Sequence, residues 1–345
     1  MKGVFLLLNR KFFLLSFLVV FLTIFTAACG SSESSSGSGD SSGKPVKLKL
    51  NTYEANSMWE TTAKAFKEEV EKRSNGEIEV EIHLNSPFGG EREVTEMMQM
   101  GTVETAIMTH GPMGIWVPEF QVFDLPFLFE NSEHAYAVLD SEIVDKLEQQ
   151  FEEKAGVKIL GWSSNEFVQT ANSRKELKTV EDTKGLKLRV QENEVQIDTW
   201  EAFGANPIPM AWPEVFTALE QGVIDGTSNN YKSILDNHMQ EVTDYVSALD
   251  ERFGPVAIQI SKKIFDSLTP EQQEAVLEAG KVAQQAGRDY NAEVLPEAAK
   301  KLEEEGMVVS TPDKESFKAK VGPVYEKWTP VFGEDLVKSI QEFEY

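Results

Sequence analysis

From Val46 to Leu84 the chain spells strand, helix, strand. Val46, Leu48 and Leu50 alternate with Lys47 and Lys49, and Trp59, Ala63, Phe66 and Val70 then recur at helical spacing behind a Ser57/Glu60 capping box. Asn75-Gly76 stops the helix, and alternation returns at Ile78, Val80, Ile82 and Leu84. Two strands joined through a helix are parallel and cross over right-handedly, so the body is an α/β fold built on parallel sheet.

The same grammar continues. A helix from about Glu93 to Met100 ends at Gly101 and leads into a strand at Thr105–Met108. Ser132 opens a helix through Ala135, Leu139, Ile143, Leu147 and Phe151, closed by Gly156 ahead of Val157–Leu160. A second series starts near Phe167: a strand at Leu186–Val190, a helix at Glu194–Phe203 stopped by Gly204, a helix from Pro213 through Glu220, and a strand beginning at Val223-Ile224-Asp225. Thr269 as cap and Pro270 at the first position announce a long helix that runs past Leu302 and is kinked at Pro296. The length from Lys44 to Tyr345 suffices for two domains. A helix of that length spans both.

The N-terminus reads as a leader. Lys2 and Arg10-Lys11 frame an apolar run from Phe12 to Phe25, which closes on Thr26-Ala27-Ala28-Cys29. The run is short for a transmembrane helix and has the parts of a secretory signal. Its end resembles the bacterial lipoprotein box, which implies cleavage after residue 28 and lipid on Cys29, the only cysteine of the chain. An ordinary secretory signal with a chance cysteine is the alternative. Residues 29–44, nearly all Ser and Gly, make a flexible tether.

Charge restricts the partners. The formal charge of −24 falls to −27 when the leader takes Lys2, Arg10 and Lys11 with it, which argues against nucleic acid and anionic lipid surfaces. An anionic ligand has to be held by a local cation in a closed site, because salt screens longer-range fields within about 8 Å. Four histidines and no H-E-x-x-H pair give a hydrolytic metal site little to build on. No cofactor is expected. In open parallel sheets ligands lie beyond the carboxyl ends of the strands, which here draws attention to Thr109-His110, Arg189 and Ser228-Asn229-Asn230.

Several blocks resemble one family. G-L-K-L-R-V from Gly185 is followed by G-A-N-P-I-P-M-A-W-P-E-V-F-T-A-L-E-Q-G-V-I-D-G at 204–226. G-G-E-R-E at 89–93, Met100-Gly101-Thr102 and V-P-E-F-Q-V-F-D-L-P-F-L-F at 117–129 agree as well. Together they are similar to the solute-binding subunits of tripartite ATP-independent periplasmic (TRAP) transporters, of the dicarboxylate-binding type. The resemblance covers roughly residues 45–330. It implies a two-lobed periplasmic-binding-protein-like fold with a hinge and a long helix across both lobes. Residues 45–166 and 255–294 would form lobe I, and 167–254 and 295–345 lobe II.

The resemblance also implies a function: an extracytoplasmic, lipid-anchored, monomeric protein that captures an organic acid and delivers it to a TRAP permease. Arg189 would grip the ligand carboxylate, since a guanidinium offers two parallel donors and keeps its charge in a dry cleft. Read without the family, Lys187 and Arg189 are equally the solvated face of a strand whose Leu186, Leu188 and Val190 face the core. Asn229 and Asn230, Trp212, Thr109 and Glu91 complete the expected contacts, although a turn, a core tryptophan and a helix N-terminal carboxylate are the plainer readings of three of these. Many relatives carry a second arginine where this chain has Val168-Gln169. One fixed cation would favour a monocarboxylate such as a sugar acid, with Gln169 a neutral replacement. Arg92 supplying a second charge would keep C4-dicarboxylates open. An ABC-type or sensor-linked binding protein, or an extracellular enzyme using the same cleft, are the rival functions. Catalysis has little support: there is no G-x-S-x-G elbow, no P-loop and no spare thiol.

Overall fold

The computed structural model describes residues 44–345; the expected leader and all but the last residue of the tether lie outside the described residues. Eleven strands form there: β1 (Val46–Asn51), β2 (Ile78–His83), β3 (Thr105–Thr109), β4 (Val157–Phe167), β5 (Gln169–Asn172), β6 (Lys187–Val190), β7 (Asn206–Pro209), β8 (Gly226–Asn229), β9 (Tyr245–Ser247), β10 (Phe253–Ser261) and β11 (Val308–Ser310). They make two sheets, ordered β2-β1-β3-β10-β4 and β11-β9-β5-β8-β6-β7. The expected βαβ unit opens the first sheet, with Val46 opposite Ile78 in parallel register and the helix Met58–Arg73 between the strands. Trp59, Ala63, Phe66 and Val70 are its buried face. The capping box is only half made. Ser57 Oγ accepts from the Trp59 amide, while Glu60 reaches one residue further back, to the Asn56 amide.

Each lobe has its own core. Leu48, Phe66, Phe120, Phe151, Trp162 and Phe253 belong to the first. Two smaller clusters flank the second sheet, one with Val215, Leu219, Val246 and Leu302, the other with Leu188, Trp200, Phe203 and Phe317. The backbone crosses between lobes where β4 runs into β5 and where β10 begins. Phe167 pairs with Phe253 there, and the Val168 amide donates to the Arg252 carbonyl at 3.0 Å.

The long helix is Pro270–Glu304, with a complete Thr269/Gln272 capping box and Pro296 inside it. It lies against β4 so closely that a Cβ on Gly280 would stand 2.4 Å from the Leu160 carbonyl oxygen.

Four expectations change. The helix expected from Ser132 to Phe151 is two helices, Ser132–Leu139 and Glu142–Ala155. Ser141 Oγ donates to the Val138 carbonyl and accepts the Ile143 amide, so it ends one helix and caps the next. The break presents Asp140 to Arg288 of the long helix, which donates to both carboxylate oxygens at 2.6 and 2.7 Å. Pro213 sits in a 3-10 turn, Trp212–Glu214, ahead of the α-helix Val215–Glu220. The strand expected from Val223 begins at Gly226. Finally, residues 322–345 do not pack as part of lobe II: the helices Gly322–Phe332 and Glu334–Gln341 place Val324, Phe332, Val337 and Ile340 in the first-lobe core.

Candidate functional site

A cavity lies between the lobes, lined by Tyr53, Glu54, Trp59, Glu91, Thr109, Asn165, Val168, Arg189, Gln191, Trp212, Ser228, Asn229 and Arg252. Thr109 closes β3, Arg189 and Gln191 stand at the end of β6, and Ser228 and Asn229 at the end of β8. The carboxyl ends of strands from both sheets thus converge on one space, as open α/β sheets dictate.

Arg189 is buried, at 7 % exposure, and its Nε donates to the Met210 carbonyl at 2.9 Å. The guanidinium carbon lies 5.5 Å from the ring centroid of Trp212, so the plane is held from one edge and one face. Its terminal nitrogens meet no protein acceptor among the described residues. Burial lowers its pKa to about 10, with Glu91 opposing that shift and Arg252 adding to it. The group therefore stays cationic at neutral pH.

Glu91 is the first residue of the helix Glu91–Met100. Its carboxylate accepts from the Thr109 amide at 2.6 Å and from the Thr109 hydroxyl at 2.7 Å. Burial pushes its carboxyl above the usual range, against these two bonds and the Arg189 charge. Gln191 Nε2 donates to the same Thr109 hydroxyl at 2.7 Å, tying the two lobes together at the cavity wall. Glu54, also buried, accepts from Ser233 Oγ at 2.9 Å, and burial carries its pKa to about 7. Asn229 Oδ1 accepts from the Asn230 amide at 2.9 Å.

Behind the cavity is a buried polar cluster on Asp124. Its carboxylate takes His110 Nε2 at 2.8 Å, Asn193 Nδ2 at 2.7 Å and Gln196 Nε2 at 2.8 Å, with Arg252 Nε 3.6 Å away. Burial acts to raise the Asp124 pKa, but His110, Arg252 and Gln196 outweigh it and hold the carboxyl below its ordinary value. The second nitrogen bond of Gln196, to Gln191 Oε1 at 2.9 Å, links this cluster to the cavity wall.

The structure brings Glu91, Thr109, Arg189, Trp212 and Asn229 together and leaves three expected residues out. Gln169 follows Val168 in an extended chain, so the two point to opposite faces; Val168 lines the cavity and Gln169 Nε2 turns to the Phe167 carbonyl and Asp250. Asn230 is consumed as a helix cap, accepting the Ser233 amide at 2.7 Å and donating to the Asn165 carbonyl at 3.0 Å. Arg92 is half exposed and pairs with Glu96 and Glu192. The expectation of a single cation is also corrected, because Arg252 lines the cavity beside Arg189. Arg252, Gln191, Asn165 and Glu54 were not singled out from sequence. Gln191 was within reach, since it follows the L-R-V strand by one position. Among the described residues no cluster of three or more His, Cys, Asp or Glu is arranged to hold a metal ion, and no helix is long and apolar enough to cross a membrane.

Comparison with known proteins places the fold and the family. A solute-binding protein of Verminephrobacter eiseniae is 34% identical over 86% of this chain and 88% of its own length. The crystal structure of a TRAP periplasmic solute-binding protein from Polaromonas, bound to D-erythronate, superposes with a TM-score of 0.84 at 32% identity, covering 87% of this chain and 99% of the other. One from Sulfitobacter with bound β-D-galacturonate gives 0.82 at 32% identity, covering 86% and 99%. Residues 51–330 match the family described as bacterial extracellular solute-binding protein, family 7, and the chain belongs to it, as a binding protein of the TRAP type.

Proposed function

We propose that this protein captures an organic acid outside the cytoplasm, a sugar acid such as an aldonate or uronate or else a C4-dicarboxylate, and hands it to a TRAP-type permease. The observation that carries the reading is Arg189: a buried guanidinium, fixed by Met210 and Trp212, whose terminal donors face an interlobe cavity without a protein acceptor among the described residues. A carboxylate supplies the two acceptors that such a fork lacks. Glu91 stands ready to accept ligand hydroxyls, and Asn229 and Gln191 add amides that donate and accept. The bound ligands of the two crystallised relatives are hydroxylated monocarboxylates, which suits this set. The Thr109 hydroxyl, donating to Glu91 and accepting from Gln191, serves as a bridge between the lobes, and the protein binds its ligand and releases it unchanged. We read the protein as a monomer and as held at the membrane by lipid on Cys29; the anchor rests on the sequence of the leader.

Calorimetric titration with D-galacturonate and D-erythronate tests the ligand class, and native mass spectrometry of the freshly purified protein tests it without choosing a ligand. Saturable binding of at least one acid, or a retained mass of an organic acid, is expected. A protein that retains nothing and binds neither these acids nor succinate would refute the reading.

A further inference from the structure

Arg252 precedes β10 at the lobe crossing, opposite Val168. Its side chain is 10% exposed and lines the cavity. Asp124 holds the Nε edge at 3.6 Å, and Asp124 is itself fixed by His110, Asn193 and Gln196. No other acceptor meets this guanidinium among the described residues. Its terminal nitrogens are therefore in the condition of those of Arg189: oriented from behind and unpaired in front.

Two like charges that share a cavity repel, and the effect is felt, since Arg252 acts directly against the charged state of Arg189. An anion lying between them removes that repulsion and fills both sets of donors at once. The charge balance then limits how much anion fits. Asp124 already offsets Arg252 from behind, and the remaining charged side chains of the lining, Glu54 and Glu91, are carboxyls. One ligand carboxylate is well served; a second would have to lie against carboxyl groups.

We propose that Arg252, positioned by Asp124, is a second carboxylate-holding residue that shares one ligand carboxylate with Arg189, so that the site selects hydroxylated monocarboxylates over dicarboxylates. The proposal rests on the organic-acid reading above and narrows it. Glu91 and Gln191, on the Thr109 side of the cavity, are left for hydroxyl groups, which they can accept from or donate to.

The test compares D-galacturonate with galactarate, the dicarboxylate of the same carbon chain, by calorimetry on the parent protein, Arg252→Gln and Arg252→Lys. The parent is expected to bind galacturonate the more tightly. Arg252→Gln should weaken galacturonate by about 30-fold or more, the range for removing one partner of a buried charge pair, and Arg252→Lys should recover part of the loss. Thermal melts confirm that each variant is folded. In a double-mutant cycle, Asp124→Asn should weaken binding far less in the Arg252→Gln background than in the parent, as expected of a residue that acts through Arg252. A galacturonate affinity in folded Arg252→Gln within about threefold of the parent would overturn the proposal. So would tighter binding of galactarate by the parent, or a loss in Arg252→Gln confined to galactarate, either of which assigns Arg252 to a second ligand carboxylate. A parent that retains no organic acid and binds none of galacturonate, galactarate, erythronate and succinate fails at the earlier reading and takes this one with it, whereas a parent that binds only the dicarboxylates overturns this proposal and leaves the earlier reading standing.

Discussion

The guanidinium of Arg189 and the indole of Trp212 face each other across 5.5 Å, and the Met210 carbonyl two residues before that indole takes the Arg189 Nε. One short segment therefore fixes both the plane and the edge of the cation. Arg189→Ala is expected to weaken ligand binding by about 2–5 kcal/mol, because the ligand carboxylate stays desolvated without its partner. Arg189→Lys keeps the charge but loses the fork, so it should recover only part of that. Titration of both variants with an acid that binds the parent checks this. Near-parental affinity in Arg189→Ala would mean that the arginine is a strand residue and nothing more.

Glu251 gives the fold a pH dependence. It is buried at 2% exposure, its Oε2 has no hydrogen-bond partner among the described residues, and burial moves its pKa to about 7 from 4.5 despite the nearby Arg252. Below pH 4.5 the group is protonated folded or unfolded and costs nothing. As pH rises toward about 7 the folded state keeps a proton that the unfolded state gives up, so stability falls across that window, by a few kcal/mol at order of magnitude. Glu54 adds to the same window. Glu251→Gln should be more stable than the parent at pH 8 and lose that advantage at pH 4.5. Melting curves of the two proteins that stay equally separated at both pH values would show that the carboxyl does not titrate in this way.

Gly280 sets the distance between the long helix and β4. Alanine would gain about 1 kcal/mol of helix propensity, but its methyl would meet the Leu160 carbonyl oxygen at 2.4 Å and the Leu160 Cβ at 2.7 Å, atoms that cannot swing aside. The clash wins, and Gly280→Ala should lose about 1–3 kcal/mol net in urea unfolding. Gly322, with nothing within 4 Å of its built Cβ, serves as the control and should change stability by about 0.5 kcal/mol or less when replaced by alanine.

Cys29→Ser is expected to abolish lipid modification, read by metabolic labelling with a fatty acid. Persistent label in that variant would sink the lipoprotein assignment.

Local signals carried most of the architecture. Period-two and helical spacings located the βαβ unit, and Gly101, Gly156 and Gly204 do end their helices in the left-handed conformation. The break at Asp140 escaped because the apolar spacing runs on from Leu139 to Ile143 across it; only the hydroxyl of Ser141, serving both helix ends, distinguishes two helices from one. Arg189 was legible because its own strand carries it into the site. Arg252 was not, since what brings it there is the antiparallel pairing of β10 with β4, a partner far away in the chain. Gln169 and Asn230 failed by one position, which in extended backbone is the whole difference between facing the cavity and facing away.

The C-terminal helices have a consequence for the order in which the molecule can be made. Ile340 packs in the same core as Leu48, although the whole of the second sheet is built from chain that lies between them. A nascent polypeptide emerging from the ribosome therefore lacks part of its first hydrophobic core until Ile340 has been added. Neither half can be finished early and set aside, and neither exists as one uninterrupted fragment that a single protease cut would liberate.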